Sequence, residues 1–142
     1  MNFSFKRNEP AKISPVGFPL WSPPEAIVEA LGDDNEMVVE LIDAFQTDTR
    51  ARLERVRAAL SAGDATQLRR EAHTVKGSSR QIGADALGEV CEQIEHADQS
   101  TSLAQFAELV QRMQELFAQI DGSMSAYRAR RGPASTPVFR NA

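Results

Sequence analysis

The sequence has little that would cross-link the chain, anchor it or export it. Cys91 is its only cysteine in 142 residues, so no disulfide can form within the chain. A single cysteine fits a reducing cytosol or a place in the core. No apolar run approaches the ~20 residues needed to cross a membrane, and the N-terminus has no apolar stretch typical of a secretory signal. We therefore expect a cytoplasmic protein without a membrane segment.

Signals for cofactors are also scarce. The two histidines, His73 and His96, belong to no HxxxH or ExxH pair on one helix, so we expect no metal site. No nucleotide-binding loop and no second kinase-type domain is evident. We therefore expect no cofactor in this chain and no ATP-dependent kinase activity of its own.

Charge is unevenly distributed, although the net charge is only -4. Residues 1–24 sum to +2 and residues 128–142 to +4, whereas residues 25–127 sum to -10. A body this acidic argues against nucleic acid as a partner, because duplex binding depends on neutralising phosphates with basic side chains. The basic ends are either solvated segments that aid solubility or weak contacts for polyanions.

Apolar residues recur at helical spacing, and no alternating strand pattern or internal repeat occurs. A short helix is predicted for residues 23–32, since proline is tolerated in a first helical turn. Asp33 or Asp34 then caps a long second helix, which Gly63 ends. The apolar positions of these two helices are Ile27, Val28 and Leu31, then Val38, Leu41, Ile42, Phe45, Leu53, Val56 and Leu60, with Thr49 in the one gap.

Three further helices follow in the pattern. Asp64 and Gln67 form a candidate capping box for the third helix, which Gly83 ends, and Ser102 and Gln105 form another for the fifth. The predicted buried positions are Leu68, Ala72, Val75, Ser79 and Ile82, then Leu87, Val90, Cys91 and Ile94, and finally Leu103, Phe106, Leu109, Val110, Met113, Leu116, Phe117, Ile120 and Met124.

Short loops between amphipathic helices favour antiparallel neighbours. We therefore predict an all-α fold, an antiparallel up-down-up-down four-helix bundle with a short additional N-terminal helix. The predicted organisation is an extended arm at 1–22, the bundle at 23–127 and a basic disordered tail at 128–142. The arm either covers the end of the bundle through Trp21 or stays free.

The third helix carries the candidate site. His73 lies 160° from Val75 on a helical wheel and so points largely outward. Four cations share its face, at offsets of -4, -3, +3 and +7, and a phosphoryl group attached to the imidazole would be stabilised by them. They are Arg69, Arg70, Lys76 and Arg80. Gly77 is unusual inside a helix, where glycine costs about 1 kcal/mol relative to alanine, and it would let a partner's backbone approach His73.

The segment HTVKGSSRQIGA at residues 73–84 resembles the signature of histidine-containing phosphotransfer (HPt) domains, which run His, x, apolar, Lys, Gly, small, small, two variable residues, apolar, Gly, Ala. Ala72 before the histidine also fits, as do Leu87, Val90-Cys91-Glu92 and Ile94 after it. The resemblance covers roughly residues 23–127 and implies the same helical fold.

The resemblance implies that His73 accepts a phosphoryl group from the aspartate of one receiver domain and passes it to another. It implies that Lys76 stabilises the phosphoryl charge and that Gly77 gives clearance. Relatives can carry glutamine 22 positions after the histidine, where it hydrogen-bonds the second ring nitrogen. Glu95 stands there in this chain, and it either orients the imidazole or faces solvent. Mg²⁺ is expected in the partner receiver domain.

Several points stay open at this stage. Arg69, Arg70 and Arg80 are either solvated or part of a surface that binds the partner. The expected partners are receiver domains of a hybrid sensor kinase and of a downstream regulator, and the chain is expected to be a monomer. Two alternatives are the phospho-accepting domain of a larger sensor kinase and an adaptor that binds receivers without transfer. The Met1 start and polar ends favour a free-standing protein.

Overall fold

The computed structural model describes residues 21–31 and 35–135, which form five α-helices and, within those ranges, no strand. The helices are α1 (Glu25–Leu31), α2 (Asn35–Ala62), α3 (Ala65–Gln81), α4 (Asp85–Glu95) and α5 (Leu103–Ser135). The predicted all-α class is thus confirmed. The predicted caps at Asp33 and Asp34 and most of the predicted arm lie outside the described residues.

Local signals account for the ends of α3 and the start of α5. Asp64 caps α3 by accepting a hydrogen bond from the Gln67 backbone N–H at 3.0 Å, although the Gln67 side chain turns to another carboxylate. Ser102 and Gln105 form the complete reciprocal capping box at the start of α5. Gly83 follows α3 with φ +81°, a left-handed conformation that favours glycine.

The four longer helices enclose one hydrophobic core. Helix α2 packs against α3 and α5, α4 packs against the same two helices, and the short α1 contacts α2. The predicted stripes of α3 and α4 are buried in full. The largest fully buried apolar side chains of the core are Ile42, Val56, Leu68, Val75, Leu87, Val90, Ile94, Val110, Met113, Ile120 and Met124.

Three apolar residues that follow the helical spacing are exposed. Val28 and Leu41 are more than 40% exposed, and Leu103 is more than half exposed. The spacing of apolar residues is right for each helix, but these three lie where no neighbouring helix covers them. The prediction that Leu103 is buried is therefore wrong.

The C-terminal boundary also differs from the prediction. Helix α5 continues to Ser135, so a disordered tail from residue 128 is wrong for its first eight residues. Tyr127 is buried, and the Arg128 guanidinium donates hydrogen bonds to the side chains of Asp43 and Gln46 on α2. These contacts hold α5 against α2 at the point where the basic residues begin.

The segment before α1 is docked on the end of the helices. Trp21 is buried, its Nε1–H donates a 2.7 Å hydrogen bond to the carbonyl of Ile82, and its ring meets Tyr127 edge-on at 5.8 Å. Pro24 packs over Gly83, where an added Cβ would lie 2.6 Å from the proline Cγ. Of the predicted arm, residues 21 and 22 are described, and there Trp21 is buried against the helices.

Candidate functional site

Helix α3 presents His73 to solvent. Its neighbours Ala72 and Val75 are fully buried, which fixes the rotation of the helix and turns residue 73 away from the core. The imidazole side chain is 66% exposed. The orientation predicted from the helical wheel is therefore what the fold produces.

The imidazole is held by the carboxylate of Glu95 on α4. Nδ1 of His73 lies 2.7 Å from Oε2 of Glu95. The ammonium of Lys76 forms an ion pair with the other carboxylate oxygen at 2.6 Å, and it is the main reason why the pKa of Glu95 is lowered, with the contact to His73 adding to it. Since an ionised carboxylate only accepts hydrogen bonds, the short contact requires a proton on Nδ1, so Nε2 is the nitrogen that carries the lone pair in the neutral imidazole.

The four cations predicted around His73 have different partners. Arg80 lies across Gly88 and pairs with Glu92 at 2.6 Å. The Arg69 guanidinium donates to the carbonyl of Ala97 at 2.7 Å and stacks over the ring of Phe106 at 5.5 Å from its centroid. Lys76 is only 17% exposed and pairs with Glu95.

Arg70 differs from these three. Among the described residues, its guanidinium donates one hydrogen bond, to the neutral amide oxygen Oε1 of Gln67 at 3.3 Å, and the residue is exposed. Arg69, Arg70 and His73 line one open depression of about 500 Å³, together with Thr66, Thr74 and Glu95. Wheel offsets correctly place these side chains on one face, but they carry no information on which of them is already paired.

Gly77 leaves open space next to His73. A Cβ built at this glycine would meet no atom within 4 Å, so packing inside the chain does not require glycine there. The clearance role of Gly77 for an approaching partner stays a prediction.

A second, apolar groove lies between α1, α2 and α3. It has a volume of about 230 Å³ and is lined by Ile27, Leu41, Ala44, Phe45, Asp48, Ser78, Gln81 and Ile82. Val28, Met37 and Leu41 are exposed on α1 and α2. The groove and the depression at His73 both lie along α3, but they share no lining residue. The sequence places apolar residues at positions 28 and 41 but does not indicate that a groove forms beside them.

Residues 21–31 and 35–135 contain neither a metal-binding cluster nor a membrane-spanning helix. In that part of the chain, no group of three or more His, Cys, Asp or Glu side chains could hold a metal ion. Likewise, none of the helices described there is both long enough and apolar enough to cross a membrane.

Comparisons with known proteins agree on one family. The Hpt domain model matches residues 40–123, more than half of the chain. The crystal structure of histidine-containing phosphotransfer protein B (HptB) from Pseudomonas aeruginosa PAO1 is similar, with a TM-score of 0.67 and 30% sequence identity, covering 76% of this chain and 95% of that one. No curated protein sequence matched. The chain belongs to the Hpt domain family, and its role is histidine phosphotransfer in a phosphorelay.

Proposed function

We propose that His73 is the phospho-accepting residue and that the chain shuttles phosphoryl groups between aspartates of receiver domains. The observation that carries this proposal is the pairing of an exposed imidazole with an ionised carboxylate, His73 Nδ1 to Glu95 Oε2 at 2.7 Å. This pairing supports a fixed tautomer with Nε2 free for chemistry, which is what a nucleophilic histidine needs.

In the proposed transfer, the Nε2 lone pair attacks the phosphorus of an aspartyl phosphate on the receiver. The N–P bond forms as the P–O bond to the aspartate breaks, and the carboxylate leaves with the electron pair. The proton on Nδ1 stays directed at Glu95, which offsets the positive charge that develops on the ring. The second transfer reverses these bonds on another receiver's aspartate. Mg²⁺ in the receiver pocket would neutralise the transferring oxygens.

The residues around His73 would assist in different ways. Gly77 gives the receiver's backbone room to approach, and Glu95 orients the ring. The family resemblance implies that Lys76 stabilises the charge of the phosphoryl group. Its ammonium lies 2.6 Å from Oε1 of Glu95. Arg69 and Arg80 would act at the partner surface only where their contacts with Ala97 and Glu92 leave donors free.

The receiver would dock over the apolar groove and the exposed side chains Val28, Met37 and Leu41. An interface below about 1,200 Å² in total would suit a transient signalling encounter. We further propose that the four longer helices run antiparallel as an up-down-up-down bundle, and that the protein acts as a cytoplasmic monomer serving a hybrid kinase and a downstream regulator.

Transfer from radiolabelled, phosphorylated receiver domains of the source organism tests the proposal. Wild type should take up label that is acid-labile and alkali-stable, and His73→Gln should take up none. His96→Gln is the matched control, because His96 is the other histidine and its side chain is 64% exposed. Equal labelling of wild type and His73→Gln would overturn the proposal. Faster labelling by a kinase ATP-binding domain than by any receiver would favour the excised-domain alternative, and stable receiver binding without labelling would favour the adaptor.

A further inference from the structure

We infer that Arg70, rather than Lys76, is the principal side chain of this chain that binds the phosphoryl group carried by His73. This inference rests on the proposed function, and it concerns which cation contacts the three phosphoryl oxygens. The two candidates lie one helical turn on either side of His73, at offsets of -3 and +3.

The charge of Lys76 is already compensated. Its Nζ lies 2.6 Å from Oε1 of Glu95, and both side chains are less than one-fifth exposed. The same carboxylate holds His73 through its other oxygen, and the charges of Lys76 and Glu95 offset each other. A phosphoryl group would have to share this ammonium with Glu95, and moving the ammonium fully to the phosphoryl group would leave a poorly hydrated carboxylate beside an added dianion.

Arg70 carries a charge that no carboxylate compensates in the described structure. Its single 3.3 Å hydrogen bond to Gln67 joins it to a neutral group, and the residue is exposed, so redirecting the guanidinium costs little. It lines the same depression as His73. A guanidinium offers a planar fork of donors that fits two phosphoryl oxygens at once.

The other two arginines are committed elsewhere. Arg69 braces the end of α4 through the carbonyl of Ala97 and the ring of Phe106. Arg80 lies over Gly88 against Glu92. Of the four cations that share the face of His73, Arg70 is therefore the one able to meet a phosphoryl group without breaking a charged or buried contact.

The phosphorus atom itself reports on this contact. In the His96→Gln background, potassium phosphoramidate is used to phosphorylate His73 directly, and the ³¹P chemical shift is followed through the second ionisation of the phosphoryl group. A bound cation favours the dianion, so removing it raises the midpoint. We expect Arg70→Ala and Arg70→Gln to raise the midpoint by about 0.5 pH unit, roughly a threefold change in proton affinity. Arg70→Lys should restore most of the difference.

Two controls separate this result from a general charge effect. Arg112→Ala removes an exposed arginine of α5 and should leave the midpoint unchanged. Lys76→Ala should move it less than Arg70→Ala does. In a Glu95→Gln background the ammonium is released, so Lys76→Ala should then have the larger effect of the two and Arg70→Ala a smaller one than before.

The inference is overturned if Arg70→Ala leaves the midpoint at the wild-type value, or if Lys76→Ala shifts it more than Arg70→Ala while Glu95 is present. Because phosphoramidate needs no receiver, these results are independent of the transfer assay. If the midpoint depends on Arg70 but no receiver labels the protein, the contact between Arg70 and the phosphoryl group is supported and the relay role is rejected. Failure of both donors to label His73 would overturn both proposals.

Discussion

Nδ1 of His73 and Oε2 of Glu95 lie 2.7 Å apart, across the contact between α3 and α4. Glu95 is the last residue of α4, where the helix is followed by a turn. The orientation of the imidazole is therefore set by how α4 lies along α3 and not by α3 alone. A substitution that shifts α4 along α3 would therefore change the orientation of the imidazole without contacting it.

The first prediction concerns the pH dependence of stability that Glu95 creates. Its pKa is lowered, mainly by Lys76, so the folded state gains stability above the ordinary glutamate pKa of about 4.3. That gain is lost as the pH falls through the lowered pKa of the folded state. The free energy of unfolding of wild type, measured in urea, should exceed that of Glu95→Gln by about 1 kcal/mol at pH 7. At pH 2 the two free energies should be equal.

Glu108→Gln is the matched control for this experiment. Glu108 is an exposed glutamate of α5, and its replacement should not change the free energy of unfolding at either pH. A Glu95→Gln difference that persists undiminished at pH 2 would mean that the carboxylate stabilises the fold by packing and not by its charge.

The second prediction concerns Cys91, the chain's single cysteine. The thiol is fully buried, and burial raises its pKa to about 12. Since the thiolate is the reactive form, Ellman's reagent at pH 8 should react with native protein at least a hundredfold more slowly than with protein unfolded in guanidinium chloride. Rapid reaction of the native protein would show that the α4 face opens to solvent.

Helical periodicity was sufficient to predict the core residues, but it did not predict which apolar residues outside the core are exposed. Val75 and Leu87 are buried as predicted, because burial follows helical phase when every face is covered. Val28 and Leu41 violate that condition, since apolar spacing cannot show that a groove stays open beside them. Exposed apolar residues near a reactive histidine are better candidates for a docking surface than for core.

Charged residues were harder to place. Glu71 is buried on α3, where Arg52, Arg55 and Gln67 bind its carboxylate. Two of these partners come from α2, 19 and 16 positions away, so no local pattern on α3 indicates them. For the same reason the wheel placed four cations around His73 without showing that Lys76 is paired across helices with Glu95.

The third prediction compares two glycines with left-handed backbones. Gly83 has φ +81°, and a Cβ there would lie 2.6 Å from Cγ of Pro24, whereas Gly63 has φ +68° with its nearest atom, on Leu103, at 3.9 Å. Gly63→Ala should cost about 1 kcal/mol from backbone strain alone. Gly83→Ala should cost about 2 kcal/mol or more, because the segment between Trp21 and Pro24 must also shift.

Urea unfolding measures both costs, and the fluorescence of Trp21, the only tryptophan, reports the shift of the segment. The emission of Gly83→Ala should move to longer wavelength, whereas that of Gly63→Ala should match wild type. Equal costs and unchanged emission in both variants would show that Pro24 moves aside without disturbing the buried tryptophan.

The fourth prediction separates function from stability at Gly77. An added Cβ meets nothing within 4 Å at Gly77 or at Gly122, so alanine should stabilise each helix by about 0.5–1 kcal/mol. Gly122 lies on α5, away from His73, and serves as the matched control. If Gly77 gives a receiver clearance, Gly77→Ala should lower the rate of labelling by a phosphorylated receiver at least tenfold, and Gly122→Ala should leave it unchanged.

Phosphoramidate supplies the second arm of this comparison, because it is small enough to reach His73 without docking. Both alanine variants should accept phosphate from it at the wild-type rate. Slow labelling of Gly77→Ala by phosphoramidate as well would place the defect in the imidazole, and normal labelling by the receiver would show that the open space beside His73 is not used. Only a loss confined to the protein donor assigns Gly77 to the approach of the partner's backbone.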